Sequence, residues 1–216
     1  MEPDHSWRVI EQERRSLADL LATLTDEEWE LPSLCVGWQI KDVAAHLLLT
    51  PQPPGAWRML AEMVRARGSF NRCVHDVSVR YAERPNAVIV AELRRHAASR
   101  TVPALTNYRN LLMDVLVHGQ DIAIPLGRTR QMPLDAATAS ANLVWQKGWP
   151  FWARRKLAGL RLVATDVDWT AGAGPEVRGP IAALLLLLTG RTAALPYLTG
   201  AQVASLAARL NTATNT

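Results

Sequence analysis

The chain has little cysteine, little lysine and no long apolar run. Two cysteines in 216 residues, Cys35 and Cys73, form no CxxC pair and no disulfide framework, which excludes a disulfide scaffold and a cysteine-rich zinc site. A reducing, cytoplasmic setting is the simplest expectation. The longest apolar stretch, Ile181 to Leu188, is eight residues, far below the roughly 20 that span a bilayer. The segment Met1 to Arg15 is charged and lacks the apolar core of a secretory signal. No G-x-S-x-G, P-loop or G-x-G-x-x-G is found, so nucleophilic-serine and nucleotide-phosphate signatures are missing. Lysine is rare, 3 against 21 arginines among 24 basic residues, so the pI near 9.5 rests on arginine.

What is present is apolar and unevenly charged. Hydrophobic residues make up 49%, which excludes a largely disordered chain. Residues 1–50 hold 4 basic and 10 acidic groups, so the rest holds 20 and 10. The basic excess permits an anionic partner without choosing one. Residues 58–109 carry 10 arginines and 4 acids with only Phe70, Tyr81 and Tyr108 as aromatics, which reads as a solvated charged face rather than a nucleic-acid surface. Eight tryptophans stand among thirteen aromatics; Trp38, Trp57, Trp145, Trp149 and Trp152 suit a pocket wall or plain core packing.

Helices dominate the first 150 residues. Trp7, Ile10, Leu17, Leu20, Leu21 and Leu24 recur at helical spacing. Thr25 with Glu28 is a capping pair. A helix opens at Gly37–Asp42 and runs to about Thr50, ended by Pro51, Pro53 and Pro54. Further helices fit 55–67, 70–83, 86–99, 103–124 and 134–147, each bounded by Gly or Pro. Then 160–165 alternates like a strand, Gly172, Gly174 and Pro175 mark a turn, and 176–178 suits a short returning strand. Helices follow at 181–189 and 202–210. The expected division is a helical bundle over 1–155 and a small α/β domain over 156–216.

Asp114 and His118 stand four apart on one expected helix, so both side chains point to one face, with Asp121 continuing the stripe. Their neighbours are Leu111, Leu112, Met113, Val115, Leu116 and Val117. Polar groups in such company pair with each other, ligate a cation or face water. A plain intrahelical Asp–His contact and a divalent metal site both remain open. His46 is the natural third ligand, the lone polar side chain of Val43–Leu49, although a satisfied core histidine fits as well. Asp42 one turn earlier suits either an acceptor for His46 or a helix N-terminal acid. Cys35 and Cys73 read as structural.

Leu34-Cys-Val-Gly-Trp-Gln-Ile-Lys-Asp-Val-Ala-Ala-His-Leu47 resembles the C-x-G-W-x-x-x-D-x-x-A-H-L signature of the mycothiol-dependent maleylpyruvate isomerase family. Leu112 to Gly127 resembles that family's second signature, and the segments around Leu162–Asp166, Trp169, Gly174 and Leu188–Arg191 are similar to its C-terminal part. The resemblance implies a mainly α, DinB-like four-helix bundle with a small C-terminal α/β segment. It implies a divalent metal, usually zinc, on His46, Asp114 and His118, where the family's isomerase has Glu at the middle position. It implies mycothiol as the thiol cosubstrate and a small electrophile as substrate. The outcome is isomerisation or S-transfer, in a monomer or homodimer, with no nucleic-acid or membrane partner. Asp121 suits a hydrogen bond to the imidazole or cosubstrate, or a plain helix contact. Arg191 suits a substrate carboxylate, or a surface position at a helix end. The alternative is a non-catalytic bundle that keeps the scaffold and binds a ligand or partner.

Overall fold

The computed structural model describes residues 1–52, 55–103 and 106–212. Among them the chain divides into two compact units, Glu2–Arg130 and Gln131 onward.

In the first unit, helices α1 (Pro3–Leu21), α3 (Ile40–Leu49), α6 (Asn86–Arg95) and α7 (Tyr108–Ala123) form the bundle. Each packs on two others: α1 on α6 and α7, and α3 on the same two. The stripe Val9, Ile10, Glu13, Arg14, Leu17, Ala18 and Leu21 is the buried face of α1. Helix α7 is buried almost all round, because it lies between α1 and α3; only Asp114 and His118 interrupt the buried run from Leu111 to Val117 and on to Ala123. Its start is capped by Asn107, whose Oδ1 accepts from the amides of Arg109 and Asn110. The short α2 (Asp26–Trp29) has the expected Thr25/Glu28 capping box. Helix α4 (Ala56–Arg65) packs on α5 (Phe70–Ala82), and α5 lies along α3.

The helix expected from Gly37 begins later, at Ile40. Gly37 has φ +80° and Gln39 is extended, so these residues close a turn before the helix. Pro53 and Pro54, read as helix breakers, lie outside the described residues, as do residues 104 and 105 at the front of the helix expected over 103–124.

The second unit holds α8 (Leu134–Gln146), α9 (Ala153–Lys156), a three-stranded sheet, α10 (Ile181–Leu188), a 3-10 segment Thr192–Tyr197 and α11 (Val203–Thr212). The strands are β1 (Arg161–Ala164), β2 (Thr170–Gly172) and β3 (Glu176–Gly179), in the order β2-β1-β3. Strand β2 runs antiparallel to β1, and β3 runs parallel to it on the other edge. The strand expected at 176–178 is present as β3 but runs parallel to β1; the antiparallel return is made before the Gly172–Pro175 turn by β2, a strand that its Thr-Ala-Gly composition concealed. Gly172 and Gly174 have φ +81° and +130°, and a Cβ on either would meet a backbone oxygen at 2.2 Å, so the turn demands glycine.

The compact units part at 130/131, earlier than the 155/156 boundary expected. The reason is packing: α8 buries Ala136, Ala137, Ser140, Ala141 and Val144, a stripe of small residues, and packs on α10. A stripe of alanines carries little signal of which unit it belongs to.

Candidate metal centre

Two helices and one loop build the site in the first unit. His46 comes from α3, Asp114 and His118 from α7. The Nε2 of His46 lies 3.4 Å from Oδ2 of Asp114, and the Nε2 of His118 lies 3.4 Å from Oδ1. The two imidazoles are 5.0 Å apart and nearly perpendicular. These side chains keep 18%, 22% and 16% of their surface, so a small molecule can reach them.

The second nitrogen of His118 is committed elsewhere. Its Nδ1 is 2.8 Å from Oδ2 of Asp121, a fully buried carboxylate. Asp121 is thus no surface contact; it accepts the Nδ1 proton and leaves Nε2 turned to Asp114. The thiol of Cys35 also donates to Oδ2 of Asp121, at 3.1 Å, and stands 3.6 Å from His118 Nδ1. This placement was missed from sequence, which read Cys35 as merely structural. Only the Cys35 position inside the first signature pointed to it. Cys73 does pack structurally, in a buried cluster with Ala66 and Val77, and burial raises its thiol pKa.

The Cys35 loop is held by its own bonds. The Leu34 amide donates to the Asp121 carbonyl, the Ser33 amide to the Trp38 carbonyl, and Ser33 Oγ accepts from the Cys35 amide. Trp38 stands edge-on to His46 at 5.7 Å and to His75 at 5.6 Å. Asp42 accepts the Gln39 amide at 2.8 Å, so it serves as the N-terminal acid of α3. His75 pairs with Asp76.

Electrostatics favours an ionised Asp114. Burial opposes its charge, but His46 and His118 outweigh that and hold the carboxyl well below the usual carboxylate range. For His118, burial works against protonation, and Asp114, Asp121 and Cys35 overcome it, so its pKa lies above the ordinary histidine value. Arg14, buried on α1, donates to the Ala97 and Ser99 carbonyls. Burial lowers its pKa to about 10, with Asp114 opposing the change, so it stays a cation in the field of the site.

Two overlapping donor sets exist among the described residues: His46, Asp114 and His118, and Cys35, His118 and Asp121. Zinc bonds to nitrogen and oxygen of about 2.0–2.2 Å in a tetrahedron put neighbouring ligand atoms about 3.3–3.6 Å apart. The 3.4 Å separations of the first set fit that spacing. The 2.8 and 3.1 Å contacts of the second are hydrogen bonds, tighter than two ligands of one ion. Two imidazoles and a carboxylate are a donor set suited to zinc or a similar divalent ion.

Arg191 belongs to the second unit. Its amide bonds the Leu186 carbonyl and Gly190 (φ +87°) bonds Leu187, closing α10 in a Schellman motif. One guanidinium nitrogen donates to the Thr189 carbonyl.

Comparison with known proteins gives a family profile described as the mycothiol maleylpyruvate isomerase N-terminal domain, matching residues 10–108. The fold is similar to the crystal structure of the mycothiol-dependent maleylpyruvate isomerase, with TM-score 0.60, 15% identity and 94% of each chain covered. A histidine-to-alanine mutant of that isomerase is similar at TM-score 0.60 and 14% identity, again over 94% of each chain. No curated protein matches the chain in sequence.

The raised His118 pKa predicts proton release. Chelator-stripped protein near neutral pH carries a proton on His118 that an incoming cation must displace. Metal affinity therefore falls as pH is lowered through and below that pKa. Zinc titration in weak buffer with a pH indicator should register released protons, and fewer in His118→Ala. Equal release by both proteins contradicts the assignment. A second variant, Asp121→Asn, should weaken metal binding about 10–100-fold, the range for loss of a ligand's orienting partner. Unchanged affinity in a competition titration would remove that role from Asp121.

Proposed function

We propose, from the match of residues 10–108 to the mycothiol maleylpyruvate isomerase N-terminal domain profile, a metal-dependent enzyme that uses mycothiol as cosubstrate on a small electrophile. The reaction is thiol-dependent isomerisation or S-transfer. The observation that carries this reading is the approach of His46 Nε2 and His118 Nε2 to the two carboxylate oxygens of Asp114, each at 3.4 Å, with His118 Nδ1 held by Asp121. Those three residues are assigned as ligands of a divalent ion, with zinc favoured by the donor set. A divalent ion held by these three residues would lower the pKa of a thiol brought to it.

The chain's own residues do the rest. Asp114 is held ionised by His46 and His118 against its burial. Asp121 keeps the proton of His118 on Nδ1 and the ring in one orientation. Cys35 adds a second donor to the same carboxylate oxygen, which limits its rotation. The attacking sulfur is thus the cosubstrate's, and Cys35 is a positioning residue. If the thiol adds to a conjugated cis double bond and departs after rotation, the product is an isomer. If it stays, the product is an S-conjugate.

Arg191 is assigned to a substrate carboxylate. Its support is chemical: a permanent charge and planar donors, one of which bonds Thr189. A cytoplasmic location is proposed with it, because a thiol cosubstrate is kept reduced there.

Metal analysis and mycothiol binding on wild type and His118→Ala test the main reading. Wild type should hold one ion and bind mycothiol, and the variant should lose both. Full thiol binding by a metal-free variant contradicts it, and a wild type that takes up no metal points to the non-catalytic bundle instead. For Arg191, Arg191→Lys should raise KM for a carboxylate substrate several-fold while leaving metal content alone. An unchanged KM removes the assignment.

A further inference from the structure

Helix α4 has two apolar faces. Met59, Met63 and Ala66 turn inward and pack with Cys73, Val77 and Leu49. Trp57, Leu60 and Val64 lie on the opposite face and are 85%, 54% and 72% exposed. Spacings of three and four put them in one stripe along the helix. Large apolar side chains this exposed, gathered in a row, mark a contact surface.

The charge around the stripe has one sign. Arg58, Arg65, Arg67 and Arg72 are exposed. Glu62 is the one acid between residues 55 and 75, and it is buried and bound by Arg65 and Arg80. Arg72 sits in the first turn of α5, where the helix dipole disfavours a cation, so helix stability does not explain it. A second copy of this face would set arginine against arginine. Nucleic acid would satisfy the arginines and could stack on Trp57, but offers Leu60 and Val64 nothing. A surface with phosphates outside and hydrocarbon beneath satisfies both kinds of side chain.

The second unit carries the same chemistry. Residues 147–156, Lys-Gly-Trp-Pro-Phe-Trp-Ala-Arg-Arg-Lys, hold four basic groups and no acid. Trp149 and Trp152 are 52% and 49% exposed, and Arg154 and Arg155 are exposed beside them. Tryptophan is favoured at the headgroup level of a bilayer.

We propose that the protein docks peripherally on an anionic lipid surface through α4, with Trp57, Leu60 and Val64 entering the headgroup boundary and Arg58, Arg65 and Arg72 meeting lipid phosphates. The 147–156 segment of the other unit, taken by itself, is a patch of the same chemistry. No helix among the described residues is long and apolar enough to cross a membrane, and this contact requires none. The sequence points to no membrane partner as long as only a span is considered; Leu60 and Val64 lie inside the 58–109 region expected to be a solvated charged face.

Vesicle co-sedimentation and tryptophan emission on the full chain test the proposal. The protein should bind phosphatidylcholine vesicles only when phosphatidylglycerol is included, with a blue shift and with loss of binding as salt rises. Leu60→Asp with Val64→Asp should weaken partitioning at least about tenfold. Arg72→Glu should also weaken it without lowering the thermal midpoint, since it suits the helix dipole better. Trp149→Ala reads the second patch separately and should reduce the blue shift. No binding to anionic vesicles at low salt overturns the proposal, as does equal binding by the Leu60/Val64 double variant. Lipid-free dimers abolished by that double variant would give the face to a second copy, and tighter binding to an oligonucleotide than to vesicles would give it to nucleic acid.

Discussion

The site depends on one imidazole with two commitments. His118 gives Nδ1 to Asp121 and turns Nε2 toward Asp114, and Asp114 reaches across to His46 on α3. Without Asp121 the ring could hold its proton on either nitrogen. Without His46 and His118 the Asp114 carboxylate would be an uncompensated charge on a nearly buried helix. The polar cluster in the bundle is therefore tolerable only as a unit. Helix α7 can be apolar almost all round because its few polar side chains satisfy one another.

That unit also explains the loop before α3. The Leu34 amide on the Asp121 carbonyl, and the Cys35 thiol on its carboxylate, fasten residues 33–38 against the end of α7. Gly37 provides the left-handed turn that lets Trp38 come back against His46. Cys35, Gly37 and Trp38 of the first signature thus serve the second.

Much of this could be read in the sequence. The spacing of Asp114, His118 and Asp121 on a helix is a periodicity argument and needs no tertiary information. The Thr25 cap and the Gly172–Gly174 turn follow from local chemistry. What the sequence hid has physical reasons. Cys35 and Asp121 are 86 residues apart, so no local rule pairs them. Strand β2 has a weak strand composition and takes its conformation from β1. The alanine stripe of α8 fits any neighbour, which moved the unit boundary. The exposed stripe on α4 was hidden because Leu60 and Val64 fall among the arginines of a region expected to be a solvated charged face, and only the packing of Met59 and Met63 shows which apolar face is inside.

The central claim is that the cation sits on His46, Asp114 and His118 and leaves sulfur to the cosubstrate. X-ray absorption at the zinc edge of the loaded protein tests it most directly. Before mycothiol is added, the account predicts only nitrogen and oxygen scatterers, at about 2.0–2.2 Å, with one sulfur at about 2.3 Å appearing on its addition. A sulfur scatterer already present without the cosubstrate, and lost in Cys35→Ala, would place the ion on Cys35, His118 and Asp121 and contradict the account.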